Sequence, residues 1–318
     1  MNEQRARYIL PFAILVALLA VSTASIFIRL AQQSAPSLVI AALRLTFATL
    51  LLAPLALTRH RAELKSMTRA EVGLALFSGL FLTAHFATWI SSLEYTSIAN
   101  SVVLVTTGPL WVSLFAPLFL KEHLTRAAVV GLVLALLGGT VIGLSDACTL
   151  SNGLSCPQLA QAFQGRAMWG NFLALAGAWA VSGYLIIGRK LRAKMSLIPY
   201  IFVVYGFSAL GLIIIMFAAG EAPFGFPMQT YGWIFLLAAF PQLIGHSTYN
   251  WALRYLPAAF VAVISLGEPI GSAILAFFIF KETPTITTLL GGALILTGIY
   301  LASRGEKNDM VKQTSGEL

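Results

Sequence analysis

Four ionisable side chains, Arg44, His85, His246 and Glu268, lie within apolar runs long enough to cross a lipid bilayer. An ionisable group at that depth is costly, so a functional role is the first hypothesis for each. Glu268 is followed by Pro269, near the middle of its run. A carboxyl group there suits proton carriage or gating; the structural alternative is a glutamic acid that caps backbone carbonyls freed by the proline. His85, Thr88, Trp89 and Ser92 fall on one face of a helix, as do Gln242, His246, Tyr249 and Asn250. Two such polar stripes read as walls of one internal cavity, or as hydrogen-bonding glue between helices. Arg44 reads either as a clamp for a carboxylate or phosphate, or as an anchor whose stem snorkels to the surface. Asn100, Thr107 and Trp111 share a further face.

Pro109 and Pro269 fall near the midpoints of two runs, after Gly108 and after Gly267–Glu268. Proline in a helix interior deletes a hydrogen bond and predicts a kink. Interruptions at matching places of two repeats are a pointer to a transporter's binding site.

Ten apolar runs carry these residues: 9–30, 38–56, 72–92, 97–120, 127–144, 168–187, 197–219, 231–252, 257–280 and 285–302. With 58% hydrophobic and 10% charged residues, a water-soluble globule would lack polar surface. About twenty apolar residues span the hydrocarbon core, and the lengths of the runs favour helices over barrel strands. The expected fold is therefore an all-α membrane protein of ten transmembrane helices in two inverted five-helix repeats. The repeat is visible directly. Residues 93–122 laid on 253–282 without gaps give eight identities in thirty positions, among them Tyr95/Tyr255, Pro109/Pro269, Lys121/Lys281 and Glu122/Glu282. The same shift of 160 aligns Ser22 with Ser182 and Arg29 with Arg189. Five spans per copy, an odd number, force the copies upside down relative to one another. The expected organisation is a first repeat at 9–144, an extracytoplasmic linker at 145–167, a second repeat at 168–303 and a cytoplasmic, unstructured polar tail at 304–318.

Alternate loops divide Lys and Arg sixteen to three, which predicts both termini in the cytoplasm of a cell with an inner membrane. The net charge of +8 then reflects topology and lipid headgroups rather than nucleic acid. Cys148 and Cys156 both fall in the linker, where a disulfide and two unpaired thiols are both compatible with the sequence. No metal site, Walker loop or nucleophile elbow is recognisable in the sequence, so no cofactor and no enzymatic activity are expected.

The halves read "TTGPLWVSLFAPLFLKEHL" and "LGEPIGSAILAFFIFKETP", and the second span contains "AALRLTFA". In these features the chain resembles the EamA-type transporters of the drug/metabolite transporter superfamily over about residues 10–303. The resemblance implies a secondary transporter with a central cavity between spans one to four and six to nine. It also implies that Lys121, Glu122, Lys281 and Glu282 are structural. The expected activity is export of small organic metabolites by alternating access, with protons as a coupling partner or with the substrate gradient alone. Import or exchange of phosphorylated or nucleotide-linked solutes, with Arg44 as the anion clamp, is the alternative within transport. A membrane enzyme or scaffold is the alternative outside it. The expected substrate-contacting residues are Arg44, His85, Trp89, Asn100, Thr107, Trp111, Trp179, Tyr184, His246, Tyr249 and Asn250, and the expected coupling or gating residues are Glu268, Pro109 and Pro269. This aromatic lining, joined by Trp251, suits a small amphiphile with one charged end, such as an amino acid.

Overall fold

The computed structural model describes residues 3–119, 126–143, 165–256, 258, 261, 262, 265 and 267–315, and no strand occurs among them. Cys148, Cys156, Lys121 and Glu122 lie outside the described residues. The helices in chain order are α1 (Glu3–Ser22), α2 (Ala24–Ala31), α3 (Ser37–Arg59), α4 (Arg61–Lys65), α5 (Arg69–Ser92), α6 (Ile98–Val105), α7 (Gly108–Phe119) and α8 (Arg126–Gly143). They continue with α9 (Arg166–Arg192), α10 (Leu197–Ala218), α11 (Met228–Leu237), a π-helical segment (Ala238–His246), α12 (Ser247–Ala252), α13 (Gly267–Phe280) and α14 (Ile286–Ser315).

Six helical stretches among the described residues are long and apolar enough to cross a membrane: Ile9–Ala31, Ser37–Arg59, Arg69–Ser92, Ile98–Phe115, Arg166–Arg192 and Leu197–Ala218. Gly267–Phe280 and Ile286–Gly298 are shorter apolar helices. Local chemistry sets several of the boundaries. Thr68 and Glu71 form a capping box at the start of α5, with the Glu71 N–H donating to Thr68 Oγ1 at 3.2 Å and the Thr68 N–H donating to Glu71 Oε2 at 2.9 Å. The N-terminus of α3 is held from another element, because the Ser37 N–H donates to Glu94 Oε1 at 3.1 Å. The helix α14 runs on past Arg304 to Ser315, where sequence polarity predicts an unstructured tail. Half of residues 304–315 are good helix formers (Arg304, Glu306, Lys307, Met310, Lys312 and Gln313), and a helix already begun upstream extends at little cost.

The helices pack in a regular pattern. α5 lies along α9, and α1 along the π segment. α10 packs on both α3 and α5, while α3 also meets the π segment. α6 and α7 lean on α9, and α13 leans on α1. α8 pairs with α14 so closely that a Cβ added at Gly138 would sit 2.5 Å from the Gly291 carbonyl oxygen. Small residues at such a crossing let backbones approach, which is how helices gain dispersion contact when lipid offers no hydrophobic driving force.

Candidate functional site

Both matched prolines stand at helix starts. Pro109 is the second residue of α7 and Pro269 the third of α13. Sequence reasoning expects bent helix interiors here, whereas the structure has a turn at Thr106–Thr107 ahead of α7 and a turn at Ser265 ahead of α13. The physical reason is that proline disfavours helical geometry in the residue before it yet sits without strain in a first turn, where its missing N–H has no helical partner to lose. Short-range bonds close the breaks: Thr107 N–H to Leu104 O at 3.1 Å, Leu110 N–H to Thr107 O at 3.0 Å, and Glu268 N–H to Ser265 O at 2.9 Å. Ser182 of α9 supports the first break from outside by donating to Gly108 O at 3.0 Å.

The two breaks face a single cavity of about 60 Å³. It is lined by Val105, Thr106, Gly108 and Pro109 at the first break and by Val261, Ala262, Ser265 and Glu268 at the second. His85 and Trp89 of α5, Tyr184 of α9, His246 at the end of the π segment and Tyr249 of α12 supply its aromatic walls. The Nδ1–H of His85 donates to the Gly177 carbonyl at 2.9 Å, and since a carbonyl can only accept, the neutral ring is left with Nε2 as an acceptor. This ring stacks on Trp89 with centroids 5.7 Å apart and meets His246 edge-on at 6.3 Å. Trp89 Nε1 and the Tyr249 hydroxyl are buried without a protein hydrogen-bond partner. Tyr184 is tied down from behind, its hydroxyl accepting from Asn250 Nδ2.

Arg44 stands one side-chain layer behind this wall. It is fully buried, its guanidinium lies 4.1 Å from the centre of the Phe86 ring, and its Nε donates to Gln242 Oε1 at 2.9 Å. Its two terminal nitrogens meet no protein acceptor. Phe86 in turn packs edge-on against His246 at 5.5 Å. Asn250 is also in this second layer: it is not part of the lining, and its Nδ2 donates to the Tyr184 hydroxyl and, at 2.8 Å, to the His246 carbonyl.

Other residues singled out from the sequence lie elsewhere. Asn100 Oδ1 accepts from Thr288 Oγ1 at 2.9 Å, on the side of α6 that faces α14. Thr107 Oγ1 donates to Leu104 O at 2.8 Å and accepts from Trp111 Nε1 at 3.2 Å. Trp111 meets Trp179 edge-on at 5.4 Å, and Trp179 is 40% exposed. The break after Val105 explains this separation, because Asn100 and Trp111 share a face only on an unbroken helix. Trp251 packs on Tyr255 at 5.3 Å, and Pro269 is buried but outside the cavity lining.

Two residues have roles here that the sequence reading did not assign. Gln242, present in the polar stripe, is the direct partner of Arg44. Arg192 counts as a loop charge from its flanking basic residues, yet it is buried, with Nε donating to Asn250 O at 3.0 Å and a second bond to Met195 O. No group of three or more metal-ligating side chains occurs among the described residues.

Several membrane-length helices and broken helices meeting at a largely apolar, aromatic-walled cavity with a carboxylic acid in it are features of a multi-pass membrane transporter, and comparison with known proteins gives the same class. The EamA-like transporter family matches residues 9–144 and 168–304, and the chain belongs to that family. An uncharacterized transporter of Archaeoglobus fulgidus is 23% identical over 292 residues, covering 92% of this chain and 95% of the relative. The uncharacterized transporter YyaM of Bacillus subtilis is 22% identical, covering 73% of this chain and 70% of the relative. A solved crystal structure shares the fold with a TM-score of 0.64 at 20% identity, covering 93% of this chain and 97% of that one.

Proposed function

We propose that this transporter is a secondary carrier that exports small organic metabolites such as amino acids by alternating access around the cavity at the two helix breaks. The observation that carries the reading is the meeting of both proline-marked breaks at one cavity that also contains Glu268. Interrupted helices free backbone groups and supply hinges at the depth where a solute must be bound and released.

The proposed architecture is ten transmembrane helices in two inverted five-helix repeats, at 9–144 and 168–303, in an inner membrane with both termini cytoplasmic. The packing supports this reading, because the contact of α5 with α9 has its repeat counterpart in the contact of α1 with the π segment, and that of α7 with α9 in that of α13 with α1. Arg29 and Arg189, repeat-related in sequence, add to it by bonding backbone carbonyls in corresponding regions, although three positions apart in the repeat register. Arg29 donates to Thr96 O at 3.0 Å and Arg189 to Leu253 O at 2.6 Å, each fastening the end of the third helix of its own half. Cysteine-accessibility labelling at Ala31 and Arg61 should mark opposite faces of the membrane; labelling from one face would refute the topology.

In this mechanism Glu268 supplies a group that exchanges a proton or a charged solute as access alternates, while His85 and His246 shape the wall beside it. Arg44 acts from the second layer, and a phosphorylated solute held directly by Arg44 would require Phe86 to move aside. Counterflow in proteoliposomes tests the function: solute exchange without chemical change supports a carrier, and product formation without exchange would indicate an enzyme.

A further inference from the structure

Resting on the reading of this cavity as the transport site, we propose that it selects its substrate by a protonated amine, held between the Glu268 carboxylate and the aromatic wall of His85, Trp89 and Tyr249.

The acceptors around the cavity carry the argument. Glu268 lines it and makes no side-chain hydrogen bond or ion pair, the ion pairs among the described residues being Arg29–Glu282 and His60–Glu63. His85 presents the Nε2 acceptor left over from its bond to Gly177. Val105 is the last residue of α6, so its carbonyl oxygen, in the lining, has no donor within that helix and is an acceptor as well. Three acceptors of different kinds suit a group with three N–H donors. Aromatic faces beside a carboxylate are the setting in which an organic ammonium is attracted by both the charge and the ring quadrupoles.

An anionic head finds less. A helix start attracts anions through its free N–H groups, but at α7 Pro109 has none and the Leu110 N–H is already spent on Thr107. At α13 the first turn carries Glu268 itself, whose carboxyl group occupies the place by the free N–H groups that an anion would take. The cation of the second layer, Arg44, lies behind the Phe86 ring. Trp89 Nε1 and the Tyr249 hydroxyl are neutral donors and fix orientation rather than charge.

The test uses the full-length protein in detergent and three probes with the same phenylethyl body: 2-phenylethylamine, L-phenylalanine and 3-phenylpropanoate. The amine should bind about tenfold or more tightly than the acid, with phenylalanine no tighter than the amine. Glu268→Gln should weaken the amine about tenfold, and Glu268→Asp should recover part of that loss at unchanged melting temperature. Binding of 3-phenylpropanoate as tight as that of the amine overturns the proposal, as does binding of phenylalanine alone, or amine binding that Glu268→Gln leaves intact. If none of the three binds, the amine proposal falls, while the transport reading falls only if a broad metabolite panel gives no counterflow.

Discussion

The Nε of Arg44 donates to Gln242 Oε1 at 2.9 Å, joining residues 198 positions apart through a fully buried bond. One is on α3 and the other on the π segment, so the bond crosses from the first family match to the second. A buried guanidinium is tolerable only with partners, and here it has one hydrogen bond and the face of Phe86. Gln242→Leu should therefore cost about 2 kcal/mol of stability, the worth of a hydrogen bond to a charged group. Thermal unfolding of Gln242→Leu, Arg44→Met and the double variant measures it. The double variant should lose less than the sum of the singles; strict additivity would mean that the bond contributes nothing.

The sequence carried some of this and concealed the rest for identifiable reasons. His85 and Trp89 are four residues apart on an uninterrupted helix, so helical spacing alone places both on the cavity side of α5. The stripe through Gln242, His246 and Tyr249 is harder to read. The chain between Ala238 and His246 is π-helical, with a wider turn that moves Gln242 away from the cavity and toward Arg44. The proline of that segment, Pro241, is a visible signal that the helix cannot be regular. Asn100 and Trp111 show the opposite failure, a shared face inferred across a break. Arg192 is concealed by its neighbours, since Arg189, Lys190 and Lys194 form a cluster whose average behaviour is exposed.

The crossing of α8 and α14 makes a steric prediction. Gly138→Ala would place a methyl group 2.5 Å from the Gly291 carbonyl oxygen and 2.8 Å from Ile295 Cγ1. A backbone atom cannot swing aside, so the helices must separate, at about 1–3 kcal/mol. Gly73→Ala, at a position with open space around it, is the control. Equal melting temperatures for the two variants would argue against the close crossing.

Outside the spans, Glu63 gives a pH-dependent contribution to stability. It accepts the Ser196 N–H at 2.7 Å at the start of α10, and a second bond from the Ser196 hydroxyl. Partial burial pushes its carboxyl up, but the Ser196 hydrogen bonds and the nearby His60 outweigh this and hold it below the ordinary carboxylate value. A depressed folded value means that the stabilisation is present above the unfolded carboxylate range and is lost as pH falls through the folded value. Melting temperature followed downward from pH 7 should fall less steeply in Glu63→Gln than in the native chain. Superimposable pH profiles would remove this contact from the account.

Because Pro109 and Pro269 occupy first turns, Pro109→Ala and Pro269→Ala should alter stability by about 1 kcal/mol or less. Each restores an N–H and lets the helix propagate backward through the break. Transport should therefore fall in both variants while melting temperature and expression hold. Normal transport by both would make the breaks packing features.

The central claim is that solute passes through the cavity where the two breaks meet, and Glu268 is the one carboxyl group among the described residues that line it. The most direct measurement is counterflow in proteoliposomes, native chain against Glu268→Gln, with a panel of amines, amino acids and sugars. The substitution keeps the shape of the side chain and removes its charge. The account predicts exchange of at least one organic solute by the native protein and a fall of about tenfold or more in the variant, at equal incorporation and melting temperature. Exchange that is indistinguishable between the two proteins would contradict it.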